Sequence, residues 1–121
     1  MFEIDKYSRT PIYEQVIRQI ELMILSGELG ENDQVPSVRT LSQQLSVNPN
    51  TLQRAYMELE RRGICYSVPG NGRFIAKGAA LSIARAGDEL LEQMRELLEE
   101  MKLRGVERDR IVETLNSVYE P

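Results

Sequence analysis

Histidine is absent from the 121 residues, and cysteine occurs once, at Cys65. Without imidazole the chain lacks the usual zinc ligand and the usual proton shuttle near neutral pH, and one thiol cannot close an internal disulfide. Metal binding and proton-transfer catalysis both lose weight, and no cofactor is expected. Long apolar runs are missing too. The longest is Leu22-Met23-Ile24-Leu25, far short of a membrane span, and Glu3, Asp5 and Lys6 place charge where a secretion signal needs an apolar stretch. The expectation is a cytoplasmic protein with no membrane partner. A chain of this length, 41% hydrophobic and 28% charged, can bury one modest core with a helical appendage, not two large domains.

Basic charge is also in short supply: 15 basic against 19 acidic residues give a net charge of −4, where a nucleic-acid-binding domain tends to be basic. The distribution matters more than the sum. Between Gln34 and Lys77 six basic residues (Arg39, Arg54, Arg61, Arg62, Arg73, Lys77) accompany two acidic ones, Glu58 and Glu60. From Ala79 onward six basic residues accompany ten acidic ones. Charge is thus segregated along the chain, with the surplus of cations in its middle.

What is present is a clear series of helix signals. Thr10 is a candidate cap and Pro11 suits a first helical position, while Gly27 supplies a stop, which predicts a helix over residues 11–26. Ile12, Val16, Ile17, Ile20 and Ile24 fall on one stripe of it, leaving Glu14, Arg18 and Glu21 for solvent. After a turn-like stretch, Pro36-Ser37 restarts a short helix over residues 37–45, with Leu41 and Leu45 one turn apart. Only Ser46-Val47-Asn48-Pro49 then remain to turn the chain, the tight connection of a helix-turn-helix. In the next helix Asn48 can cap, Pro49 fits the first position and Gly63 ends the pattern; Leu52, Ala55, Tyr56 and Leu59 share one face. The opposite face is Asn50, Gln53, Arg54, Met57 and Arg61.

That opposite face carries the functional expectation. Asn and Gln can make paired hydrogen bonds to adenine, and Arg to guanine, through the major groove of duplex DNA. Any surface helix also shows such residues to water, and Asn48 and Asn50 can serve as caps alone, so the flanking pattern decides. Past Gly63, Ile64–Val68 and Arg73–Ala76 read as two strands joined by Pro69-Gly70-Asn71-Gly72. Gly70 and Gly72 allow close approach to a ligand, and Arg73 beside them suits a phosphate or a narrow minor groove. Taken alone, this segment reads as an ordinary hairpin turn.

Taken together the residues resemble the GntR family of bacterial winged-helix transcription regulators, in its short YtrA-like branch. The resemblance runs through Pro11-Ile12-Tyr13, Gly27-Glu28-Leu29, Pro36-Ser37-Val38-Arg39, Asn48-Pro49-Asn50-Thr51, Ala55-Tyr56, Leu59-Glu60 and Gly63-Ile64 to Gly70-Asn71-Gly72-Arg73-Phe74-Ile75, nearly the whole chain. It implies a DNA contact at Arg39, a recognition face at Asn50, Thr51 and Gln53, and a wing approaching the minor groove at Gly70. Arg54 joins this set from helical geometry, and Asn48, Asn71 and Arg73 from their places beside the helix start and the wing. Many members outside this branch carry arginine where Pro49 stands, so the operator cannot be copied from relatives.

The remainder has the composition of helices in need of a partner. Leu90, Met94, Leu97 and Met101 line one stripe, Leu91 and Leu98 stand a heptad apart beside it, and Ile111, Leu115 and Val118 recur beyond a break at Gly105. Glu89, Glu92, Glu96, Glu99 and Glu100 form a solvated face. Two helices cannot enclose so broad an apolar band, so a twofold homodimer is expected, with dimerisation through Leu90, Leu91, Met94, Leu97, Leu98, Met101, Ile111 and Leu115. The expected architecture is mainly α with a small β-hairpin: a winged helix-turn-helix DNA-binding domain over residues 1–77 and a helical dimerisation arm over residues 78–121.

A twofold protein predicts an operator with inverted symmetry. The branch resemblance further implies a regulator, more often a repressor, of an operon that tends to encode a membrane transporter. An unidentified small-molecule effector, cationic or amphipathic, is the remaining partner considered, and no residue signature marks it. An enzyme would need a nucleophile with a base, a metal cluster or a phosphate loop, and none is written here. The alternative is a winged-helix module that binds protein instead of DNA, which salt dependence separates from the first reading.

Overall fold

Proline and glycine set the limits of most elements. In the computed structural model, which describes residues 2–121, the order is α1 (Ile12–Leu25), α2 (Val38–Leu45), α3 (Pro49–Arg61), β1 (Cys65–Val68), β2 (Gly72–Ile75), α4 (Ala79–Leu103) and α5 (Arg108–Tyr119). The mainly helical class with one hairpin is therefore as expected.

The start of α1 differs from expectation. Thr10 does not cap it. Pro11 occupies the cap position with ψ of 147° and no side chain bonds the first turn; its carbonyl accepts from the amides of Glu14 and Gln15. The Thr10 carbonyl accepts instead from Nε2 of Gln15 at 2.8 Å. A prolyl ring fixes φ but leaves ψ free, so the helix begins one residue later than the Thr-Pro pair implies. Ser37 likewise stands outside α2, its Oγ accepting from the Thr40 amide. Asn48 caps α3, with Pro49 in the first turn.

The apolar stripes converge as their spacing predicts. Val16, Ile17, Ile20 and Ile24 of α1 meet Leu41 of α2, Leu52, Ala55, Tyr56 and Leu59 of α3, and Ile75 of β2 in one buried cluster. Each such side chain contributes about 1.5–3 kcal/mol on burial. Tyr56 is the largest of them, and its hydroxyl donates to the Pro36 carbonyl at 2.6 Å, tying α3 to the entry of α2. Burial raises the Tyr56 pKa, so the phenol stays protonated as a donor.

β1 and β2 pair antiparallel, Cys65 opposite Ile75 and Val68 opposite Gly72. The segment before α2 runs along β2: the Asn32 amide donates to Ile75, Ile75 to Asp33, and Val35 to Arg73, at 2.8–3.0 Å. Ahead of α1, the chain is held by side-chain amides, Gln19 bonding the backbone of Glu3 and Gln15 that of Asp5.

The described residues up to Ala84 and residues 85–121 form separate compact units. The hairpin ends near residue 77, but Ala79 and Ile83 are buried in the first cluster, which moves the division into α4. In the second unit α5 follows Gly105, whose φ of +82° ends the preceding helix. Among the described residues 85–121 none is buried.

Candidate nucleic-acid interface

Helices α2 and α3 are joined by Ser46-Val47-Asn48. Ser46 takes a left-handed φ of 53°, Val47 tucks into the core, and Lys6 Nζ donates to the Ser46 carbonyl at 3.0 Å. A cation at a helix C-terminus is favourably placed, so the N-terminal segment pins this turn. Asn48 Oδ1 accepts from the Asn50 amide at 2.8 Å, which commits that oxygen to capping. The turn thereby fixes the angle at which α3 leaves α2.

Asn50, Gln53, Arg54, Met57 and Arg61 are exposed, and Thr51 is half-buried. Asn50, Gln53, Arg54 and Met57 line one concavity of about 650 Å3 together with Tyr13 and Glu14 of α1. Arg39 is exposed on the first turn of α2. The fold thus brings polar side chains able to bond base edges onto one face of α3.

Which cations are available depends on the acids beside them. Glu58 bonds both Arg61 and Arg62, Arg62 also reaches Glu21 at 3.2 Å, and Glu60 holds Arg73. Among the described residues Arg39 and Arg54 make no ion pair. Hydrogen bonds from Arg61 and then Arg62 hold the Glu58 carboxyl at about 2. Because its folded pKa lies below the ordinary carboxylate value, its contribution to stability is full above pH about 4.5 and is lost as pH falls through about 2. At neutral pH it stays ionised and damps the charge of its two arginines. Glu58→Gln is expected to release them, raising affinity for random duplex and steepening the salt dependence by about 0.9 per phosphate newly met. Fluorescence anisotropy across a salt series checks this, and an unchanged slope would exclude Arg61 and Arg62 from the DNA surface.

At the wing, Gly70 has φ of +80° and Gly72 φ of +118°, conformations that favour glycine. Nε2 of Gln34 donates to the Asn71 carbonyl at 2.9 Å, and a Cβ at Gly72 would stand 2.6 Å from that same nitrogen. The turn is braced by the segment before α2. Tyr66 stacks on Phe74 with centroids 5.7 Å apart and donates to Asn32 Oδ1. Gly70 and Asn71 are exposed at the tip.

Arg73 is placed otherwise. Its Nε donates to Glu60 Oε1 at 3.0 Å, its guanidinium lies 5.3 Å from the Tyr56 ring centroid, and only 20% of its side chain is exposed. The same Glu60 oxygen accepts from Ser67 Oγ. Arg73 therefore links α3 to the hairpin within the fold. Nearby, burial and then Glu60 push the Cys65 thiol up to about 11, leaving it a protonated core group without thiolate reactivity. The cation–π contact of Arg54 on Tyr13, 3.9 Å from the ring centroid, was not read from the sequence. Two side chains this far apart in sequence meet only through the packing of α1 on α3.

A short turn between two helices, a second helix with one polar face exposed and a glycine-tipped hairpin define the winged helix-turn-helix class of DNA-binding proteins. The chain belongs to the GntR family: the family described as bacterial regulatory proteins, gntR family, matches residues 12–75, and the YtrA-like branch is borne out by overall likeness. The HTH-type transcriptional repressor YtrA of Bacillus subtilis is 36% identical over 98% of this chain and 92% of its own length. Among solved structures, a transcriptional antiterminator from Listeria monocytogenes EGD-e is 32% identical with a TM-score of 0.73, covering 99% of this chain and 90% of the other. The DNA-binding domain of AraR in complex with an operator is 30% identical with a TM-score of 0.54, over 63% of this chain and 93% of that one. YtrA is named as a transcriptional repressor and the AraR domain is bound to an operator, and transcription regulation through DNA binding is the function of the class. Among the described residues no helix is long and apolar enough to cross a membrane, and no group of three or more His, Cys, Asp or Glu side chains is placed to hold a metal ion.

Proposed function

We propose that the chain is a cytoplasmic transcriptional repressor that binds an inverted-repeat operator as a homodimer, with a transporter operon as its regulated target. Each subunit lays the Asn50, Thr51, Gln53 and Arg54 face of α3 in a major groove, Arg39 bonds DNA from α2, and the Gly70-Asn71 tip lies alongside. Asn48 shapes this surface as a cap, and Arg73 holds the hairpin to α3. The observation that carries the reading is the selective freedom of cations: among the described residues Arg39 and Arg54 are exposed without ion pairs, while Arg61, Arg62 and Arg73 are held by acids of the fold. The repressor sense follows YtrA, the relative so named.

Dimerisation rests on the second unit. Leu90, Leu91, Met94, Leu97 and Leu115 are 43–62% exposed, and Met94, Leu98, Met101, Ile111 and Leu115 line a groove of about 510 Å3 between α4 and α5. Among the described residues 85–121 none is buried, so this unit has no core of its own, and a second copy supplies it most simply. The test is binding selection from a random-sequence duplex pool. The expected result is enrichment of one inverted repeat, with log affinity falling linearly in log salt by about 0.9 per phosphate neutralised. No enriched sequence and a flat salt response would overturn the reading in favour of a protein-binding module. A calorimetric titration with small cationic or amphipathic compounds tests for an effector.

A further inference from the structure

The Arg54 guanidinium lies over the Tyr13 ring on the α3 surface. A cation held against an aromatic face keeps its N–H donors available for other acceptors, because the ring uses none of them up as a carboxylate would. The Arg54 carbon lies 3.9 Å from the Tyr13 centroid, both residues line the concavity that holds Asn50 and Gln53, and Arg54 has no acidic partner among the described residues. The ring itself is half-buried and packed against the core, so it is a fixed platform for an otherwise long and mobile side chain. On the reading of the chain as a DNA-binding protein, we infer that Tyr13 is a positioning residue that presents the Arg54 fork to DNA. That fork matches two paired-acceptor groups, phosphate oxygens or the O6 and N7 edge of guanine. Ordering it before binding removes part of the rotamer entropy otherwise lost on contact.

The experiment uses the full chain and the duplex that the wild-type protein enriches from a random pool, with affinities measured across a salt series and melting temperatures alongside. Arg54→Ala is expected to weaken binding about tenfold. Tyr13→Phe keeps the ring and should bind within about twofold of wild type, whereas Tyr13→Leu keeps apolar bulk, loses the platform and should bind about threefold more weakly. In the Arg54→Ala background Tyr13→Leu should have no further effect on binding. A salt slope shallower by about 0.9 in Arg54→Ala identifies phosphate as the partner; an unchanged slope with relaxed preference at one base pair identifies guanine. A merely structural Tyr13 would lower melting temperature and affinity equally in both backgrounds, and that additivity would overturn the inference. Wild-type affinity in Arg54→Ala, or equal losses in Tyr13→Phe and Tyr13→Leu, would do the same. If the wild-type chain enriches no duplex, the DNA-binding reading falls first and takes this one with it; enrichment with an additive cycle removes this one alone.

Discussion

Leu97→Glu is expected to convert the protein to a monomer in light scattering and to weaken operator binding by about a hundredfold or more. Leu97 is 61% exposed on α4, so in a single chain a glutamate there meets water at little cost. In a dimer the same position lies within the apolar band with Leu90 and Met94, where an unpaired carboxylate is strongly disfavoured. Two linked recognition helices hold two half-sites with a high effective concentration, and a monomer forfeits that advantage even if each α3 surface is intact. Circular dichroism separates this outcome from unfolding, because Leu97 lies outside the buried cluster of the first unit and that unit should keep its helices. A Leu97→Glu protein that remains dimeric would take this side chain out of the interface. A wild-type chain that is monomeric at micromolar concentration would remove the dimer itself.

The contrast between the two units explains what could be read from the residues in advance. Where a helix buries one face, its spacing reports the fold: Val16, Ile20 and Ile24, or Leu52, Ala55 and Leu59, are buried because they recur every three or four positions. Helix caps were less legible. Asn48 behaves as its side chain dictates, but Thr10 yields to the ψ of Pro11, a torsion no sequence signal reports. The surface of α3 followed from the same periodicity, read from the opposite side. The roles of its charges did not, because they depend on partners distant in sequence: Glu60 takes Arg73, Glu21 takes Arg62 and Tyr13 takes Arg54. Arg39, Arg54 and Arg73 are chemically alike in the sequence, yet only Arg73 is absorbed into the fold. A glutamate at the end of α3 with an arginine in the second strand of the hairpin that follows was the available signal for that pair. The Gln34 brace on the wing carried no comparable mark.

Arg39→Ala is expected to weaken operator binding about tenfold to a hundredfold while leaving melting temperature nearly unchanged. Arg39 makes no hydrogen bond through its guanidinium and no ion pair among the described residues; only its carbonyl is engaged, accepting from Ser42 Oγ at 2.9 Å. Removing an exposed side chain with no internal partner costs the fold little. It is exposed on the first turn of α2, so its loss should be felt by DNA alone. Arg39→Lys divides the contribution further. Lysine keeps the charge but not the planar fork, so recovery to near wild-type affinity indicates a phosphate met as a point charge. A loss as large as that of alanine indicates paired hydrogen bonds, to a base edge or to two phosphate oxygens. The salt slope then assigns the partner, falling by about 0.9 when a phosphate contact is lost and staying constant when a base contact is lost. An Arg39→Ala protein that binds the operator as tightly as wild type would remove α2 from the interface and leave recognition to α3 and the wing.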